Sequence, residues 1–130
     1  MMDTSDLQIV IDLSQVDLDL EPEELESLTN SLKNEISELV EDAQLVRESE
    51  IPEGGKPALA GFVLGLLKTE VSVKNIQALM GVLQDRFGAK TIKLTGEKDG
   101  NKLSFSLEVG RAEDLDKVVA AFKKLAETAG

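Results

Sequence analysis

The segment Pro57-Ala-Leu-Ala-Gly-Phe-Val-Leu-Gly-Leu-Leu67 contains neither a charge nor a strong polar group, and the loop Ile51-Pro-Glu-Gly-Gly-Lys56 introduces it. It interrupts a chain with 25 Asp and Glu against 14 Lys and Arg. Burying such a run on every side needs neighbours, and a chain of 130 residues has few to offer. The segment is therefore a core element, a docking face or a membrane-contacting stretch. Read as a helix, it reaches only ~17 Å at ~1.5 Å per residue, whereas a hydrocarbon core needs ~30 Å. Continuing it through Lys68 and Glu70 imports charge, and no Lys/Arg-rich polar face suits it to lying in an interface. Membrane contact is disfavoured on both counts. Gly61 and Gly65 form a G-x-x-x-G pair, which allows close helix packing in soluble proteins as well as in membranes.

The flanking sequence carries clearer periodicities. Leu7, Ile9, Ile11 and Leu13 alternate with Gln8, Val10 and Asp12, the pattern of a strand with one buried face. Pro22 suits a first helical position, and the acids around it complement the positive end of the helix dipole. Leu25, Leu28, Leu32, Ile36, Leu39 and Val40 then form one apolar stripe of a helix running to about Glu41. Asp42 to Glu48 reads as a second strand, so that strand, helix and strand suggest a right-handed β-α-β unit. Ser72 is a candidate cap for a helix presenting Val73, Ile76, Leu79, Met80, Leu83 and Phe87 on one face, and Gly88 ends it as a C′ residue. Thr91–Thr95 and Leu103–Val109 alternate around Asp99-Gly100, a strong hairpin signal. A closing helix takes in Ala112 to Ala126.

The expected order is β-α-β-α-α-β-β-α. It describes an α+β fold with a four-stranded, mostly antiparallel sheet, helices on one face and ferredoxin-like overtones. Residues 1–130 form a single domain whose ends, 1–6 and 127–130, are expected to fray. Residues 57–88 are expected to form an inserted helical pair.

Several function classes are disfavoured by what the chain lacks. It has no His and no Cys, which removes the commonest neutral-pH base, the commonest zinc ligands and every disulfide or thiolate site. The start, Met1-Met-Asp-Thr-Ser-Asp6, lacks the basic-then-apolar layout of a signal peptide, so a cytoplasmic location is expected. Residues 1–53 hold 16 acids against Lys33 and Arg47, while residues 54–130 hold nine acids against 12 bases. This field repels nucleic acid and anionic lipid, and no basic patch with interleaved aromatics overcomes it. The acidic half either keeps the chain soluble or steers a basic partner.

Individual motifs add little chemistry. The acids from Asp12 to Glu26 lack the central Gly and fixed ligand spacing of a calcium loop. Gly54-Gly-Lys-Pro57 lacks the upstream Gly and the Ser/Thr of a phosphate loop, and reads as a hinge. No cofactor or metal is expected.

The order of pieces is nonetheless recognisable. "EPEELESLTNSLKNEISEL", "AQLVRESEIPEGGKPALAGFVLGLL", "VSVKNIQALMGVLQDRFGAKTIKL" and "RAEDLDKVVAAFKKLA" follow a leading strand, with a hairpin before the last. From about Leu7 to Ala126 the chain resembles the effector-associated constant component family of small bacterial proteins, particularly its cyanobacterial type. "LVRESEIPEGGKPALAGFVLGLL" is the most specific part of the match. The resemblance implies a non-catalytic accessory protein, encoded beside caspase-like or trypsin-like peptidase effectors and an NTPase in defence or regulated cell-death systems. It offers no catalytic residues to carry over.

Three functions follow as expectations. The first is an adaptor docking on a peptidase-type effector through Phe62, Val63, Leu66 and Leu67. The second is a regulator binding a small molecule or peptide in the cleft between the helical pair and the sheet. The third is a carboxylate-based enzyme, which needs a buried Asp or Glu pair. Self-association through the apolar segment or an open sheet edge is compatible with each.

Overall fold

The computed structural model describes residues 7–14, 16, 21–47, 58–59, 62–88, 90–98, 100–108 and 112–128. Their order is β1 (Leu7–Asp12), α1 (Pro22–Ile36), β2 (Asp42–Arg47), β3 (Ala58–Leu59), β4 (Phe62–Val71), a 3-10 turn (Val73–Asn75), α2 (Ile76–Phe87), β5 (Thr91–Lys98), β6 (Asn101–Glu108) and α3 (Ala112–Thr128). The class is α+β, as expected, but the sheet has more strands and the element order differs. Five strands lie in the order β2-β4-β1-β5-β6, and the two-residue β3 pairs with β4. All pairings are antiparallel.

The expected helical pair over 57–88 does not form. Its first half is β4, a ten-residue strand in the interior of the sheet. The reason is visible in the chain's own pattern: Leu67, Thr69 and Val71 are 0–1% exposed, while Lys68 and Glu70 between them face outward. That is period two, and the apolar residues before it hid it. A short apolar run is compatible with a buried strand or a buried helix. Gly61 and Gly65 favour the strand, since each costs a helix interior about 1 kcal/mol relative to Ala. Gly65 has φ 80°, outside the helical region, and its carbonyl accepts a 2.7 Å hydrogen bond from the Leu13 amide. It re-aims a strand rather than seating two helices against each other.

With β4 in place the topology simplifies. β1 and β2 run in the same direction with β4 between them, so the expected β-α-β unit is split by a third strand. The path β1-α1-β2-β4-α2-β5, in the sheet order β2-β4-β1-β5, is the ferredoxin-like connectivity. The hairpin strand β6 and helix α3 extend it.

One main core lies between sheet and helices. Leu7, Ile9 and Ile11 of β1, Leu67 and Val71 of β4, and Ile92 and Leu94 of β5 share it with Leu32, Ile36, Leu79, Leu83, Val118 and Phe122 from all three helices. Helix α1 starts with Pro22 at its first turn, and the Glu24 carboxylate accepts a 3.0 Å bond from the Glu21 amide. It ends at Ile36 rather than near Glu41, because the chain must turn for β2; the Glu41 amide donates to the Glu70 carbonyl at 2.7 Å. Gly88 caps α2 with right-handed angles (φ −44°, ψ −33°), not as the left-handed C′ residue expected. The hairpin expected around Asp99-Gly100 forms with strands that reach closer to the turn than Thr95 and Leu103: Lys98 pairs with Asn101 and Gly100 has φ 87°, while Asp99 lies outside the described residues.

On β5, Gly96 lies on the core side, and the ring of Phe122 in α3 occupies the space a side chain would take. Phe122 also meets Phe105 of β6 edge-to-face, with centroids 5.5 Å apart. This stack fastens α3 to the hairpin.

Candidate interaction surface

The residues expected to form one docking face are divided by β4. Leu67 is fully buried beneath the helices. Leu66 belongs to the other side of the sheet, where it and Val46 form a small second cluster with Val10 packed against them. Phe62 and Val63 lie on the part of β4 that runs past β1: the β1 register ends at Asp12↔Leu66, while Phe62 pairs with Arg47 of β2 and with Leu59 of β3. The register shift between Leu45 and Arg47 marks the irregularity that separates the two halves of β4. The four residues therefore do not share a face. Gly54, Gly55, Lys56 and Gly61 lie outside the described residues.

The opposite side of the sheet carries a polar surface. Gln8, Lys68, Glu70, Lys93 and Ser104 occupy it at half-buried or exposed positions, and the Thr95 and Ser104 hydroxyls are 2.9 Å apart across β5 and β6. Asp12, 8% exposed at the end of β1, accepts a 2.9 Å bond from the Ser14 amide and so shapes the turn that leaves the strand. An antiparallel sheet can be packed on one face and wet on the other, and all three helices contribute to the single core on the opposite side.

Helix α1 presents much of the chain's acidity. Glu21, Glu23 and Glu24 at its start and Glu35, Glu38 and Glu41 at and beyond its end are exposed. Glu35 also pairs with Arg86 of α2 at 2.6 Å, and Arg86 donates to the Ser31 hydroxyl at 2.6 Å.

The cleft expected between a helical pair and the sheet has no counterpart, since one of the two helices is a strand. A shallow depression of about 250 Å³ lies where α1 passes into β2, lined by Lys33, Asn34, Ser37, Val40, Glu41, Asp42 and Ala43. Among the described residues no group of three or more His, Cys, Asp or Glu is placed to hold a metal ion, and no helix is long and apolar enough to cross a membrane.

No family model matches the chain, and no curated protein or solved structure matches it either. Sequence reasoning missed the outer strand β6 as a surface feature. Leu103 on it is 36% exposed, a large apolar side chain open to solvent. The alternation Leu103-Ser-Phe-Ser-Leu107 was readable, but nothing local to it says that β6 ends the sheet.

Proposed function

We propose that this chain is a non-catalytic adaptor that couples a trigger to a peptidase-type effector in a bacterial conflict or regulated cell-death system. The observation that carries this reading is the resemblance over residues 7–126 given above. The surface is compatible with it. The helices cover one face of the sheet, and the other face offers strands, short polar side chains and mixed charge, a surface suited to a protein partner. Phe62 and Val63, on the segment of β4 that outruns β1, are the residues assigned to effector contact. Leu66 supports that segment from the Val46 cluster, and Leu67 acts as core. The acidic surface of α1 orients a partner that is basic where it docks.

The test is reconstitution with the caspase-like or trypsin-like protein encoded beside this chain. A complex is expected on co-purification, with Val63→Asp weakening it in a variant whose folding is checked by thermal unfolding. Absence of a complex with any neighbouring peptidase removes the adaptor function. A complex indifferent to Val63→Asp and to Phe62→Ser moves the contact elsewhere.

A further inference from the structure

The two ends of the sheet are built differently. At one end β2 is short and its register is broken between Leu45 and Arg47. Such irregularity blunts an edge against pairing. At the other end β6 keeps unbroken register with β5 over all eight residues, from Asn101↔Lys98 to Glu108↔Thr91, and has neither proline nor bulge. Its outer backbone groups form a regular row with no strand beside them among the described residues.

The sequence of that edge is a palindrome with opposite charges at its ends: Lys102-Leu-Ser-Phe-Ser-Leu-Glu108. We propose that β6 pairs antiparallel with β6 of a second copy about a two-fold axis at Phe105, making one continuous sheet from two chains. In that register Phe105 faces Phe105, Ser104 faces Ser106, Leu103 faces Leu107, and Lys102 of each copy faces Glu108 of the other. An isologous contact requires a patch complementary to itself, and a palindromic antiparallel strand with exchanged charges meets that requirement.

Three further points favour this occupant over an unrelated strand. Backbone groups of alternate residues point to the same side of a strand. Pairing about Phe105 joins even-numbered residues to even-numbered ones, so whichever set points outward meets its own set. Leu103 is 36% exposed at this outer strand, and a leucine from the second copy, facing it across the new pairing, would cover it. A slip of two residues either way leaves Lys102 or Glu108 without its opposite charge, so the charges select the register. The inference is independent of the effector reading, because it concerns only the chain's contact with itself.

The experiment is sedimentation equilibrium of the full chain over a concentration series, with circular dichroism to confirm folding. The wild type is expected to reach twice the chain mass of 14.1 kDa. Lys102→Glu and Glu108→Lys each place like charges at two symmetric positions and should weaken the dimer about tenfold or more. The double reversal, Lys102→Glu with Glu108→Lys, should restore it. A single-chain mass throughout the series overturns the proposal. So does a dimer unmoved by the single reversals, or one that both weaken and the double variant fails to rescue.

Discussion

Replacing Gly96 with alanine adds one methyl group and tests how α3 is seated on the sheet. In an ordinary strand the change should help, because glycine costs an element interior about 0.5–1 kcal/mol relative to alanine through its extra conformational freedom. Here a Cβ would lie 2.7 and 2.8 Å from two carbons of the Phe122 ring, and 3.4 Å from a third. Contacts that short force something to move. The obstacle is a rigid ring, fully buried and in edge-to-face contact with Phe105, so no flexible chain end can yield. Relief requires α3 to lift by several tenths of an ångström, or Phe122 to leave its rotamer. Overpacking of this kind costs typically ~1–3 kcal/mol, which outweighs the entropic gain and leaves a net loss of ~1–2 kcal/mol. With no Trp or Tyr in the chain, unfolding is best followed in urea by far-ultraviolet circular dichroism rather than by fluorescence. The midpoint should fall with little change in slope. Phe122→Leu in the Gly96→Ala background should cost less than the sum of the single changes, with a coupling of about 1 kcal/mol. A Gly96→Ala variant as stable as the parent, or more so, would refute the argument that Phe122 packs on the bare backbone.

Two further changes probe β4. Gly65→Ala must hold φ near 80° with its Cβ 3.1 Å from the Ser14 nitrogen, so a loss of ~1–3 kcal/mol in chemical unfolding is expected. Thr69→Val deletes the buried 2.8 Å bond from the Thr69 hydroxyl to the Ile9 carbonyl; the threefold shape is kept, so the cost should be ~0.5–1.5 kcal/mol by the same assay.

The parts of this fold legible in the sequence are those whose periodicity is local and complete. Leu7–Leu13, the Asp99-Gly100 hairpin and the stripes of α1, α2 and α3 each declare their own type, because every second or every third to fourth residue is buried against one layer. β4 fails that condition. An interior strand whose first half is apolar throughout presents no alternation there, and only Leu67 to Val71 reveals it. The consequence for the site was larger than one misassigned element. A helix would have put Leu66 and Leu67 on adjoining surfaces, whereas a strand places them on opposite sides of the sheet. The open face is assembled from β1, β4, β5 and β6, so its membership depends on strand order, which no local pattern encodes.

That geometry determines how loss-of-binding variants in this segment must be read. Leu66 is 7% exposed and packs with Val46, itself 5% exposed, and with Val10. Truncation to alanine should therefore cost stability in its own right, ~2–3 kcal/mol given the small size of the cluster. Any partner binding that Leu66→Ala abolishes is then ambiguous between a lost contact and a loosened β4. Val10→Ala separates the two. Val10 touches the same cluster from β1, well away from Phe62 and Val63, and is only partly buried, so it should loosen the cluster by about 1 kcal/mol. If Val10→Ala weakens an effector complex as much as Leu66→Ala does at equal residual stability, the cluster acts by supporting β4. A much larger loss for Leu66→Ala at matched stability, read by calorimetric titration, would instead put Leu66 in the interface and refute its role as a support.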